Sequence, residues 1–196
     1  MAMNIEQCIK ESIEVKQRLL ADHDLLPGLA KISVKAAEVL KNKGRILLCG
    51  NGGSAADAQH IAAELSGRFL LDREPLDAEA LHVNSSYLTS VANDYSFGEV
   101  YARLVRAKGR IGDMLIAIST SGNSPNIVKA VEAAKEAGLY TVGLTGALGG
   151  KMKTLVDYLV NVPSDETPRI QEAHILIGHI ICQGVEEEMF GTKDNQ

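Results

Sequence analysis

The sequence predicts an α/β protein with a doubly wound, flavodoxin-like parallel sheet, preceded by a pair of helices. From residue 45 onward, short apolar runs alternate with segments of helical periodicity, which is the pattern of β/α units. Loops rich in glycine or in hydroxyl side chains directly follow two apolar runs, where such folds bind ligands. With 196 residues, 45% of them apolar, the chain can bury a substantial core. We expect one domain over 1–196, with helices in 1–43 and the α/β core in 44–196.

Two amphipathic helices are predicted before the first strand, over about 4–22 and about 28–42. Pro27 and Gly28 mark the break between them, and His23 lies in the same break as a solvated residue. Neither helix belongs to the β/α alternation that follows. We therefore expect their apolar faces to pack against a sister subunit.

The first β/α unit contains a glycine turn, Gly50–Ser54, after the apolar strand 45–49. The glycines allow a tight turn and a close approach of backbone N–H groups to a ligand. Ser54 is the expected N-cap of the alanine-rich helix that follows. A helix N-terminus of this kind binds anions. The same turn fits the loose dinucleotide fingerprint, Gly50-x-Gly52-x-x-Ala55, which is a weak signal by itself.

His60 and Glu64 follow on this first helix, and at i and i+4 they share one face. Taken alone, such a pair is more often a surface ion pair than a metal or catalytic site. A nicotinamide site does not call for an imidazole and a carboxylate here, so the pair favours other chemistry at the glycine turn.

The segment between the first helix and the next clear strand is less regular. We expect a short strand over 78–83 that includes His82, then helix over 86–107. An interruption near 93–96 would leave Asn93 and Asp94 in a turn where a polar site could use them.

A second ligand loop, the hydroxyl loop Ser119–Ser124, follows the buried strand Met114–Ile118. Four hydroxyl side chains precede a helix that opens at Pro125, and they belong to Ser119, Thr120, Ser121 and Ser124. The loop contains no lysine and is therefore not a nucleotide P-loop. A capped helix start with neutral donors suits a phosphomonoester, although an ordinary polar loop would share the pattern.

Two further strands, over 140–145 and 158–162, precede a long helix over about 168–190. That helix contains Gln171, His174 and His179. At roughly 100° per residue, Gln171 and His179 differ by about 80° and can face one site. His174 and His179 differ by about 140°, so we expect His174 to point elsewhere.

Composition and charge exclude several classes of protein. A net charge of −5 argues against a general nucleic-acid or membrane surface, and no apolar run is long enough to span a bilayer. The three cysteines are widely spaced, which is typical of reduced thiols rather than a disulfide framework. Because the first residues lack a signal-peptide pattern, we expect a cytoplasmic protein.

The motifs together resemble those of the sugar isomerase (SIS) domain family, over nearly the whole chain. They are Gly50–Ser54, His60-x-x-x-Glu64, Asn93-Asp94, Ser119–Ser124, and Arg169-Ile-Gln171 with His179. The hydroxyl loop indicates only the class, sugar-phosphate binding, whereas the combination of Glu64 and His179 is more specific. Some relatives carry an aspartate where this chain has Pro168, which puts one substrate-hydroxyl contact in question.

The resemblance implies a homotetrameric enzyme that converts sedoheptulose 7-phosphate to D-glycero-D-manno-heptose 7-phosphate, toward bacterial lipopolysaccharide heptose. It implies one zinc ion per subunit, among the positions His60, Glu64, Gln171 and His179. The implied substrate-binding positions are Asn51, Gly52, Gly53, Ser54, Glu64, Asn93, Asp94, Ser119, Thr120, Ser121, Ser124 and Gln171.

Glu64 and His179 suit aldose–ketose isomerisation, which needs one acid and one base. Glu64 would take the carbon-bound proton and His179 would move a proton at oxygen, while the metal would polarise the carbonyl. The alternative is a non-catalytic binding module, since the family also contains a protein that associates with the replication initiator. That branch lacks the residues matched here by Glu64 and His179, which favours the enzyme.

Overall fold

The protein, described here for residues 4–191 in a computed structural model, contains one five-stranded parallel sheet. The strands are β1 (Ile46–Cys49), β2 (Ala78–Ala80), β3 (Met114–Ile118), β4 (Tyr140–Thr145) and β5 (Tyr158–Asn161). Their spatial order is β2-β1-β3-β4-β5, with every neighbouring pair parallel. This is the flavodoxin-like order, and it confirms the predicted fold class.

Seven α-helices accompany the sheet within residues 4–191. They are α1 (Ile5–Leu20), α2 (Leu25–Lys41), α3 (Gly53–Ser66), α4 (Ser85–Asp94), α5 (Val100–Lys108), α6 (Pro125–Glu136) and α7 (Thr167–Phe190). The predicted helices and strands lie within a few residues of these bounds. Asn93 and Asp94 are the last two residues of α4, so the turn expected there begins only after them.

The alternation of side chains along the buried strands divides the core between two faces. Ile46, Leu48 and Ile116 pack on one face against α1, α2, α3 and α7. Leu47 and Leu115 pack on the other face against α4, α5 and α6. The helix pair at the N-terminus therefore contributes to the core of its own chain through buried residues such as Leu29 and Ile32.

Apolar side chains nevertheless remain exposed on the first two helices. Ile5, Ile9 and Ile13 of α1 are about half exposed or more, as is Leu26 of α2. A subunit contact through these faces stays a prediction. None of the helices between residues 4 and 191 combines the length and the apolar character that a membrane crossing requires.

Candidate active site at the carboxyl edge of the sheet

The candidate site lies where the strand order changes direction, between the carboxyl ends of β1 and β3. The glycine turn leaves β1 and leads into α3. Gly52, with φ of 56°, lies in the left-handed region that favours glycine, and it is the N-cap of the helix. The prediction that Ser54 is the N-cap is wrong, because α3 begins at Gly53 and Ser54 is a buried residue of its first turn.

The carbonyl at the start of the glycine turn is held from the opposite face of the sheet. The hydroxyl of Tyr101, on α5, donates to the carbonyl of Gly50 at 2.5 Å. Burial raises the pKa of Tyr101, so the hydroxyl stays protonated as a donor. Any side chain at Gly50 would collide with the backbone, since a Cβ there would lie 2.3 Å from the carbonyl oxygen of Ser54.

The hydroxyl loop is closed on itself and packed against a second glycine segment. The Oγ atoms of Ser119 and Ser124 lie 3.1 Å apart, across the loop. Gly122 has a φ of 64°, and a Cβ on it would lie 2.1 Å from the carbonyl oxygen of Gly149. The loop between β4 and β5 therefore supports the hydroxyl loop by direct backbone contact.

A reciprocal pair of amides joins the two ligand loops. Asn51 Nδ2 donates to Asn126 Oδ1 at 2.9 Å, and Asn126 Nδ2 donates to Asn51 Oδ1 at 2.8 Å. Asn126 belongs to the first turn of α6, just after the hydroxyl loop, and is 2% exposed. The positions of the glycine turn and of the hydroxyl loop are thus linked.

Three titratable side chains from α3 and α7 converge in what we call the His–Glu–His cluster: His60, Glu64 and His179. One ligand atom of each lies within 4.8 Å of the other two. The Nε2 atom of His60 lies 2.9 Å from Glu64 Oε1 and 3.3 Å from His179 Nε2. Two nitrogens and a carboxylate oxygen that point at a common centre form a donor set that suits zinc.

Gln171 lies over the beginning of α3. Its Nε2 is 2.6 Å from the position that a Cβ on Gly53 would occupy. Gly53 therefore makes room for the Gln171 amide next to the glycine turn. This location is consistent with the substrate-binding role expected of Gln171, and its role as a metal ligand stays a prediction.

The other predicted site residues have different surroundings. Asn93 and Asp94 are exposed and bond to each other, Nδ2 to Oδ1 at 3.0 Å, and no other candidate residue among those described bonds to them. His174 is fully buried, and its Nε2 lies 3.2 Å from the carbonyl oxygen of Thr145. The expectation that His174 points away from His179 agrees with this location.

Several residues that shape the site were not singled out from the sequence. Asn126 and Tyr101 act on the glycine turn from 75 and 51 residues away, so no local pattern reports them. Asp57, one turn before His60, has a buried Oδ2 without a partner among the described residues. Burial raises the pKa of this carboxyl, while the neighbouring His60 opposes the increase.

Comparisons with known proteins agree with these features. A family model described as "SIS domain" matches residues 10–146. A protein of Aneurinibacillus thermoaerophilus named phosphoheptose isomerase is 55% identical over 189 residues, which cover 96% of each chain.

Two solved structures are also similar to this chain. A phosphoheptose isomerase from Neisseria gonorrhoeae is 45% identical, with a TM-score of 0.83 over 93% of this chain and 97% of that one. A phosphoheptose isomerase from Francisella tularensis is 36% identical, with a TM-score of 0.89 over 93% of this chain and 96% of that one.

Proposed function

The chain belongs to the SIS domain family, and we propose that it is an aldose–ketose isomerase that converts sedoheptulose 7-phosphate to D-glycero-D-manno-heptose 7-phosphate. The observation that carries the proposal is the His–Glu–His cluster, which shares α3 with the glycine turn, together with a loop of neutral hydroxyls. Close similarity over most of the chain to proteins named phosphoheptose isomerase supports the same substrate. These relatives favour the enzyme over the replication-associated binding module.

The hydroxyl loop would hold the phosphate of the substrate. Ser119, Thr120, Ser121 and Ser124 offer neutral donors at the N-terminus of α6. An anion gains there from both the hydrogen bonds and the helix dipole. With a net charge of −5 on the chain, this local binding must outweigh an unfavourable overall field.

The reaction moves two protons, and the cluster supplies a group for each. Glu64 would take the proton from C1 of the ketose, while His179 would protonate the C2 oxygen to give the enediol. His179 would then remove the proton from the C1 hydroxyl, and Glu64 would return its proton to C2 to give the aldose. Each group ends in its starting protonation state, as general acid–base catalysis requires.

A zinc ion would fit the donors of His60, Glu64 and His179, with Gln171 as a further candidate ligand. Its chemistry would be to polarise the carbonyl group of the substrate. An imidazole nitrogen holds either a proton or a metal ion. His179 must therefore bind the metal through one nitrogen and transfer the proton through the other, or perform the two roles at different stages of the reaction. Glu64 has two oxygens and can divide its roles between them.

A homotetramer in the cytoplasm completes the proposal. The assembly is supported by the exposed apolar side chains of the first helices, Ile5, Ile9 and Ile13 of α1 and Leu26 of α2. Light scattering at micromolar concentration tests the assembly, and a stable monomer would contradict it.

The activity itself is tested by turnover of sedoheptulose 7-phosphate, with and without a chelator. We expect aldose formation by the metal-replete protein and its loss after chelation. Tight binding of the sugar phosphate without any turnover would instead support the binding module.

A further inference from the structure

A buried ion pair lies next to the cluster, between α7 and the segment that follows α3. The Arg73 and Glu186 side chains are 3% and 2% exposed, with Arg73 Nε 2.9 Å from Glu186 Oε1. Glu186 follows His179 by seven residues, about 700° along the helix, so the two lie on one face of α7. A buried pair of this kind is weak support for stability, because desolvation offsets most of its attraction.

The Glu186 carboxylate is occupied almost entirely by the backbone of the segment that follows α3. Oε1 accepts from the N–H of Phe69 at 3.0 Å, and Oε2 accepts from the N–H groups of Leu70 and Leu71 at 2.9 and 3.0 Å. Burial would raise the pKa of this carboxyl, but the three N–H groups and Arg73 outweigh it and lower the pKa. The charged carboxylate of Glu186 therefore holds the backbone of three consecutive residues in place.

The Arg73 guanidinium secures the other side of the same segment. It donates to the carbonyl oxygens of Glu64 at 2.9 Å and Leu65 at 2.8 Å, in the last turn of α3. These carbonyls have no partner within the helix, so the guanidinium also satisfies the helix end. The backbone of Glu64, whose side chain belongs to the cluster, is thereby tied to Glu186 through one side chain.

Phe69 connects this anchored segment to the cluster. Its ring stacks on the imidazole of His179, with centroids 5.6 Å apart and planes 25° apart. His179 also contacts His60, whose ring meets it edge to face with centroids 5.0 Å apart and planes at 67°. The His179 ring is therefore in contact with both Phe69 and His60, which restrict its orientation.

We propose that Glu186 and Arg73 are positioning residues that act through Phe69 to aim His179 at the centre it shares with His60 and Glu64. The proposal rests on the proposed function in one respect, that the cluster binds a divalent metal. Groups that orient metal ligands typically change metal affinity by about 10–100-fold when they are removed.

The test is titration of the metal-free protein with Co²⁺, followed by visible absorption, and with Zn²⁺ in competition. Phe69→Leu keeps the backbone N–H that Glu186 accepts but removes the aromatic ring. Glu186→Gln removes the charge that fixes the segment. We expect each variant to bind Co²⁺ about tenfold more weakly or worse. The Co²⁺ affinity of the double variant should equal that of the single variant with the lower affinity. The reason is that both changes interrupt the same connection, from Glu186 through Phe69 to His179.

Val131→Ala is the control for lost stability. Val131 is buried in the core on the opposite face of the sheet, so the variant should unfold more easily yet bind Co²⁺ like wild type. Arg73→Lys keeps the charge but loses the fork of donors, and we expect an intermediate affinity.

Two outcomes would overturn the inference. One is wild-type Co²⁺ affinity in folded Phe69→Leu and Glu186→Gln proteins, and the other is full additivity in the double variant. A wild-type protein that binds no Co²⁺ would refute the proposed metal site as well. Turnover does not enter the measurement, so an inactive but metal-binding wild type would refute only the proposed reaction.

Discussion

The hydroxyl loop and the His–Glu–His cluster are assembled in different ways. The loop is one run of six residues, Ser119–Ser124, closed by its own hydroxyls and supported by the backbone at Gly149. The cluster combines α3 with α7, and the hydrogen bond between His60 and His179 spans 119 residues of sequence. The phosphate binding that we propose for the loop would therefore depend mainly on local structure, whereas the cluster depends on how two helices pack. Changes in the two regions should affect different steps.

The largest expected effect is on turnover, in the cluster. Glu64→Gln keeps the side-chain shape but removes the base, and we expect kcat to fall about 10²–10⁴-fold. Affinity for the sugar phosphate should survive, because the hydroxyl loop is untouched. Steady-state kinetics with measured metal content test this. A fully loaded Glu64→Gln protein that turns over like wild type would refute the mechanism.

The next effect is on stability and concerns His174, a buried residue of α7 without a proposed catalytic role. Burial lowers the pKa of His174 from 6.5 to about 4, although its bond to Thr145 opposes the shift. Because the pKa is lower in the folded state, the unfolded state takes up the proton first as the pH falls. The folded protein is therefore most stable above pH 6.5 and loses stability as the pH falls toward 4. The shift corresponds to about 3 kcal/mol of unfolding free energy.

Urea unfolding of wild type and His174→Gln between pH 7 and 4.5 measures this contribution. We expect the variant to be less stable at pH 7 and less sensitive to acid. Its folded fraction should turn over like wild type, because the hydrogen bond of His174 is to Thr145 and not to a member of the cluster. Parallel pH profiles of stability for the two proteins would contradict the assignment.

A smaller effect should come from the amide pair that joins the two ligand loops. Asn126→Asp can still accept from Asn51 but cannot donate to it, and it places a negative charge near the phosphate. We expect sugar-phosphate binding to weaken by about 1–3 kcal/mol, seen as a rise in KM. Metal affinity should be unchanged, and a loss of metal binding would show that the two regions are not independent.

The smallest effect is expected within the loop itself. Ser119→Ala and Ser124→Ala each remove one neutral donor, which should weaken binding of the sugar phosphate by about 0.5–1.5 kcal/mol. The control is Thr154→Ala, which removes an exposed hydroxyl outside the loop. Isothermal titration with the sugar phosphate compares the affinities of the serine variants with that of the Thr154→Ala control. An unchanged affinity in both serine variants would refute the proposed role of the loop.

What could be predicted from the sequence follows the same division. The glycine turn and the hydroxyl loop are continuous motifs after apolar strands, so both could be located from the sequence. Helical geometry correctly separated His174 from His179, whereas the pairing of Gln171 with His179 stays a prediction. The contacts that fix these elements were not predictable, because Arg73 and Glu186 are 113 residues apart and Asn51 and Asn126 are 75 apart. For Glu186, its seven-residue spacing from His179 is a local signal that could have placed both on one face of the last helix.

The wrong N-cap has a related cause. Ser54 matched the preference for a short polar side chain before a helix. The left-handed backbone of Gly52 starts the helix two residues earlier, and Ser54 is buried within its first turn. Backbone conformation available only to glycine outweighed the side-chain preference, and composition alone does not show which glycine uses it.

The amide pair also has a consequence for the chemical ageing of the protein. Asn51 precedes Gly52, and in flexible peptides this dipeptide readily loses ammonia because the side-chain carbonyl carbon is open to attack by the next backbone nitrogen. Two hydrogen bonds to Asn126 fix the Asn51 amide and oppose the rotation that this attack requires. We expect deamidation at Asn51 to be slow in the folded protein and faster in Asn126→Ala. Mass spectrometry of the peptide after prolonged incubation would show the difference, and equal rates would mean that the pair gives no protection.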